Sequence, residues 1–139
     1  MTPDENEARY RSAVELYNTG DLEGYLAMYS DDVVFGGVTP EPMDKAGITA
    51  FHEAFVAAFP GSRVQIADLV ADGDKIAARL VFDLNHEGEF MGVPATGASA
   101  TFVITTILRF DDGQCVARWS TADMYGLMVQ LGGVPAPAG

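Results

Sequence analysis

The chain has 139 residues, enough for one domain with one core. Hydrophobic residues make up 48% and charged residues 20%, a balance that excludes general disorder. Eight Lys and Arg against twenty Asp and Glu give a formal charge of -12, which speaks against nucleic acid, an anionic membrane or a multiply charged anion as partner and leaves a neutral or singly charged molecule open.

The first residues, Met1-Thr2-Pro3-Asp4-Glu5-Asn6-Glu7, are acidic where a signal peptide would be basic and then apolar. No stretch approaches the ~20 apolar residues of a membrane span, so the expectation is a cytoplasmic protein. Thr2-Pro3-Asp4-Glu5 reads as a capping box with proline at the first helical position. Behind it Tyr10, Ala13, Val14 and Tyr17 form the stripe of an amphipathic helix, which Gly20 stops. Asp21 caps a second helix, over which Leu22, Tyr25, Leu26 and Tyr29 repeat the spacing. Val33-Val34-Phe35 is a short strand, and Asp44 caps a third helix whose stripe Ile48, Phe51, His52, Phe55 and Phe59 ends at Pro60-Gly61.

From there the pattern alternates. Val64, Ile66 and Val70 precede the turn Asp72-Gly73-Asp74, and Ile76, Ala78, Leu80, Phe82 and Leu84 follow it, which makes an antiparallel hairpin. A Gly- and Pro-punctuated segment spans 85–97, and a second hairpin, 101–110 and 114–123, turns at Asp111-Asp112-Gly113. Cys115 lies in this last strand as a lone cysteine, and no Cys/His cluster has metal-ligand spacing. Helices followed by strands predict an α+β domain over 1–133, with 134–139 as a Pro/Ala/Gly tail. The 101–110 strand is apolar on both faces, Phe102, Ile104 and Leu108 on one and Val103 and Ile107 on the other. One face then lines the core, and the other predicts a homodimer.

The strings Tyr17-Asn18-Thr19-Gly20-Asp21-Leu22, Phe59-Pro60-Gly61 and Ala71-Asp72-Gly73-Asp74-Lys75 resemble those of the SnoaL-like, or polyketide cyclase, family of the nuclear transport factor 2-like superfamily. So do the run from His86 to Gly97, Arg109-Phe110-Asp111-Asp112-Gly113, Trp119, Asp123 and Gln130-Leu131-Gly132. The resemblance implies a cone-shaped half-barrel, a curved antiparallel sheet around three helices, with an apolar pocket at its open end and usually a dimer. It does not fix the reaction, which belongs to the site.

Asp123 stands where cyclases of this family carry their acid/base carboxylate; it also suits a helix N-cap. His86, at the start of the 86–97 loop that carries Phe90 and Met91, is placed to hold a carbonyl or to be a backbone-bonded loop residue. His52 sits on an apolar stripe, as core histidines do. Arg109 shares a face with Trp119 and Asp123 if Asp111-Asp112-Gly113 is a three-residue loop, and is separated from Asp123 by a two-residue turn. The places at which aldol cyclases of the family carry glutamine and histidine hold Ile107 and Arg109, those of ketosteroid isomerases hold Ala13, Gly37 and Thr106, and no second aspartate completes an epoxide hydrolase relay.

The expected enzyme therefore works without a cofactor or metal on a small hydrophobic polyketide-like or terpenoid molecule, by cyclisation or a related proton transfer. Asp123 is its expected general acid/base, and His86 is expected to polarise or orient a carbonyl. Trp119, Arg109, Tyr17, Tyr29, Phe35, His52, Phe90 and Met91 are the expected substrate contacts. The rival readings are a non-catalytic binding or scaffold protein and an epoxide hydrolase-like enzyme.

Overall fold

A computed structural model describes residues 1–137, and the last two residues of the expected tail lie outside it. The elements run α1 (Pro3–Asn18), α2 (Leu22–Leu26), β1 (Tyr29–Gly36), α3 (Lys45–Ala58), β2 (Arg63–Asp72), β3 (Lys75–Asn85), β4 (Ser99–Asp111), β5 (Gln114–Ala122) and α4 (Met124–Gln130). The fold is α+β, an open curved sheet in the order β1-β5-β4-β3-β2 with the helices packed against it. Against the sequence reading of an antiparallel sheet with three helices, β1 pairs with β5 in parallel, and a fourth short helix follows β5, as the capping reading of Asp123 allows. Among the described residues no helix is long and apolar enough to cross a membrane.

Local chemistry accounts for the helix ends. The side chains of Thr2, Asp21, Asp44 and Asp123 each accept a backbone N–H in the first turn of the helix they precede. Asn18 closes α1 and ties it to the sheet edge, donating through Nδ2 to the Val64 carbonyl and accepting the Val64 N–H, both at 2.8 Å. The second helix is only five residues long. Tyr29 opens β1 instead of ending α2, because the chain turns at Ala27 and Met28 and Tyr29 takes up pairing with Cys115.

The inner face of the sheet is set by alternation: Ile76, Ala78, Leu80, Phe82 and Leu84 on β3, and Ala100, Phe102, Thr106, Leu108 and Phe110 on β4, are all buried. On β5 the alternation is interrupted. Asp111 pairs with Gln114 around a two-residue turn whose Asp112 and Gly113 both have positive φ, and the register then slips by one residue between Arg109 and Phe110. Cys115 faces inward before this bulge, and Arg118 and Ser120 face inward after it.

The outer face pairs Arg109 with Ala117 and Ile107 with Trp119. Two-residue turn and bulge together thus give the register that the sequence reading tied to a three-residue loop. Gly37, with φ of 94°, brings the end of β1 so close to β5 that a Cβ there would collide with the carbonyl oxygen of Ser120.

Candidate active site

Between the inner face of the sheet and α1, α2 and α3 lies an apolar cavity. It measures about 680 Å³ counted out through its open mouth. Its walls are largely aromatic, with Tyr10 and Tyr17 from α1, Tyr25 from α2, Phe51 and Phe55 from α3, and Phe82 and Phe102 from the sheet.

One cation stands in this cavity. Arg118 is 4% exposed, lines the cavity, and has no carboxylate partner among the described residues. Its Nη1 donates to the hydroxyls of Tyr25 (2.8 Å) and Tyr29 (2.6 Å), its Nε donates to Thr106 Oγ1 (2.8 Å), and its guanidinium carbon lies 5.2 Å from the centre of the Phe35 ring. Guanidinium does not lose its proton in proteins. A buried charge held by neutral hydroxyls and a ring face, with no anion beside it, keeps part of its desolvation cost uncompensated.

The hydroxyls around it have defined directions. Tyr29 is fully buried, and its hydroxyl has only Tyr25 Oη, 3.1 Å away, as an acceptor among the described residues. Tyr29 therefore donates to Tyr25, and the proton of Tyr25 is free to point into the cavity that Tyr25 lines. Ser120 Oγ, also on the cavity wall, lies 2.9 Å from Thr106 Oγ1. Burial pushes Tyr10 and Tyr29 well above the ordinary phenol range and, opposed by the hydrogen bond with Ser62, pushes Tyr17 up to about 12. All three are neutral at pH 7.

His52 faces Arg118 across this network. Its ring packs edge-on against Tyr25 with centroids 5.2 Å apart, and its buried Nε2 has no hydrogen-bond partner among the described residues. Burial, reinforced by the positive charge of Arg118, lowers its pKa from 6.5 to about 3. It is a neutral imidazole at pH 7 with an unoccupied ring nitrogen in the cavity wall. The Nε2 of His86 in the core is unpartnered as well, and His52 differs from it in lining the cavity.

The residues expected from the sequence are divided. Tyr17, Phe35 and His52 line the cavity, and Tyr29 stands behind Arg118 as its hydrogen-bond acceptor. Asp123 does not reach the cavity. It is exposed, and its carboxylate accepts the Gly126 N–H at 2.9 Å as the N-cap of α4. The apolar environment required for an acid/base carboxylate is absent there.

His86 is fully buried beneath the 86–98 loop, its Nδ1 2.9 Å from Thr96 Oγ1 and its ring against Phe59, outside the cavity. Its loop is folded onto α3 by the Glu87 and Gly88 N–H groups donating to the Ala58 carbonyl, so it forms core instead of lip. Phe90 packs into that core against Phe55 and Phe59, and Met91 projects into solvent from a turn in which it takes positive φ. Trp119 and Arg109 are on the outer face, where Arg109 stands 4.0 Å from Asp74. No Asp-Arg-Asp relay is assembled by these residues.

Among the described residues no group of His, Cys, Asp and Glu is arranged to hold a metal ion. Cys115 is buried, and desolvation pushes its thiol up to about 11.

Comparison with known proteins places this arrangement. The sequence profile described as SnoaL-like polyketide cyclase matches residues 7–131. Among solved structures, AclR of Streptomyces galilaeus, named as a candidate hydroxylase, superposes with a TM-score of 0.91 at 30% identity, covering 99% of this chain and 87% of AclR. IdmH of Streptomyces antibioticus, named as a candidate polyketide cyclase, gives 0.78 at 30% identity, covering 95% of this chain and 99% of IdmH. TsrD of Streptomyces laurentii shares the fold, with a TM-score of 0.84 at 23% identity over 96% of this chain and 99% of its own. A search of curated proteins gave no match.

Proposed function

Because the chain belongs to the SnoaL-like polyketide cyclase family, we propose that it is an enzyme acting on a small, mostly apolar, polyketide-like molecule, by proton transfer next to a carbonyl in a cyclisation or related isomerase- or lyase-type step. The observation that carries this reading is the pairing, in one apolar slot, of a cation without a counter-ion, Arg118, with a neutral histidine whose Nε2 is unpartnered.

Arg118, with the Tyr25 O–H beside it, receives the carbonyl oxygen. His52 Nε2 takes the proton from the adjacent carbon: the C–H bond breaks, its electron pair becomes the enolate, and the enolate oxygen rests on the guanidinium. Burial is the main cause of the lowered basicity of His52 and Arg118 adds to it; the enolate that forms with the imidazolium offsets the Arg118 charge. The total charge in the slot does not change during the step. Positioned proton transfer of this kind is worth about 10²–10⁴-fold in rate, and folding a flexible chain between aromatic walls supplies proximity in addition.

Hydrogen–deuterium exchange tests the step without the natural substrate. A panel of aryl ketones and β-keto esters incubated in deuterium oxide is expected to exchange at the activated carbon faster with the protein than in buffer, and His52→Gln is expected to remove the gain. No gain for any member of the panel would count against the enzyme reading and favour a non-catalytic binding protein. The likeness to AclR gives a second reading, hydroxylation in the same cavity, which needs an external oxidant such as dioxygen and two electrons from the substrate or a reductant. Product mass separates the two, since hydroxylation adds an oxygen atom, whereas cyclisation or isomerisation keeps the mass and elimination of water lowers it.

A further inference from the structure

We infer that the cavity is built for a planar, singly charged organic anion, a flat ligand whose own acidic oxygen supplies the counter-charge that Arg118 lacks within the protein. This rests on the same cavity as the proposed function and goes beyond it by assigning the charge of the ligand.

The reasoning is one of charge accounting. Arg118 is buried and lines the slot, and none of the cavity's lining residues is Asp or Glu. The groups that could ionise beside it stay neutral: burial holds the protons on Tyr10, Tyr29 and Cys115. Among the described residues the cavity thus has no internal anion, although the chain carries twenty acidic side chains.

At Arg118 the cavity presents donors, the guanidinium and the Tyr25 hydroxyl whose proton Tyr29 leaves free; Ser120 gives its proton to Thr106 Oγ1, whose own proton goes to the Trp119 carbonyl, and His52 Nε2 is an acceptor in the wall. An anionic oxygen accepts from the donors at Arg118; a cationic or donor-rich ligand would meet them with the wrong sign.

Shape limits the rest. Walls that include Phe51, Phe55, Phe82 and Phe102 suit a flat ring system. One positive charge matches one negative charge, and the chain's net charge of -12 repels anions carrying more. The shared chemistry is a delocalised oxyanion, which a carboxylate or the enolate of a 1,3-dicarbonyl both provide.

The test compares three probes by calorimetry and absorbance on the intact protein. Cinnamate and cinnamamide have the same shape and differ in charge. Cinnamate is expected to bind about ten- to hundredfold more tightly, and Arg118→Gln is expected to abolish that preference. Tyr25→Phe, which removes one donor hydroxyl, is expected to weaken cinnamate more than cinnamamide.

Benzoylacetone distinguishes the sources. If its enolate absorbance appears at lower pH in the presence of protein, the slot takes enolates; if it is unmoved while cinnamate is preferred, the slot takes carboxylates. Equal binding of cinnamate and cinnamamide, or a preference that survives in Arg118→Gln, overturns the inference. So does failure of all three probes to register. Should Arg118→Gln not fold, the wild-type pair and Tyr25→Phe decide. His52→Gln separates this inference from the enzyme reading, because it should end deuterium exchange and leave the cinnamate preference intact.

Discussion

The Nη1 of Arg118 stands 2.6 Å from the hydroxyl of Tyr29, a residue with no exposed surface, which joins the first strand of the sheet to the last at the floor of the cavity. The parallel pairing of β1 with β5 makes this possible, since it brings Tyr29 and Phe35 to the same side as Arg118. Hydrogen bonds to a charged group contribute about 1.5–3 kcal/mol. Tyr29→Phe is expected to lose that much stability in urea unfolding, and also to free Tyr25 to swing away from Arg118. A variant as stable as the parent would show that the guanidinium is held by other means.

Acid should weaken the protein through His52. The folded-state pKa of about 3 lies below the ordinary 6.5, so between these values the unfolded chain binds a proton that the folded chain refuses. Stability is then fully present above pH 6.5 and falls as pH drops towards 3. His52→Gln should flatten this part of the stability–pH curve. If the parent and the variant lose stability in parallel from pH 6.5 to 4, the ring is not held neutral by its surroundings.

Much of the fold was legible because its determinants are local. Thr2, Asp21 and Asp44 announce helix starts by side-chain chemistry, and the alternation from Ile76 to Leu84 states which face of β3 is buried. The site was less legible, and the reason is the bulge after Arg109. Sequence alternation carried from Cys115 through Ala117 to Trp119 puts Arg118 outside, whereas the slipped register turns Arg118 and Ser120 inward and Trp119 outward. Arg118 was available as a signal in one respect: it is a charged residue in a strand of otherwise small and apolar neighbours. Tyr29 was placed on a helix because i, i+3, i+4, i+7 spacing also arises by chance over a short helix and the strand that follows it.

For Asp123 the structure gives a prediction opposite in sense to that of an acid/base carboxylate. Asp123→Ala should cost about 1 kcal/mol through loss of the α4 cap, and Asp123→Asn, which retains a capping oxygen, should cost less. Neither should alter ketone exchange or cinnamate binding once the protein is folded. A selective loss of exchange in folded Asp123→Asn would return the carboxylate to the chemistry.

The outer face of the sheet leads to a proposal about assembly. Val34, Ile107 and Trp119 are 45%, 46% and 50% exposed, and they adjoin one another because Ile107 pairs with Trp119 and the Trp119 ring lies over Gly36, next to Val34. We propose that a second copy covers them, which would bury the outer apolar face of β4. Light scattering at micromolar concentration should give the mass of a dimer. Trp119→Glu would place a charge at the centre of that contact, where large aromatic residues commonly contribute 2 kcal/mol or more, equivalent to about thirtyfold in Kd. The variant should therefore shift towards the monomer while its cavity, on the opposite face of the sheet, keeps its affinity for cinnamate; a parent that is already monomeric would leave this face as exposed surface.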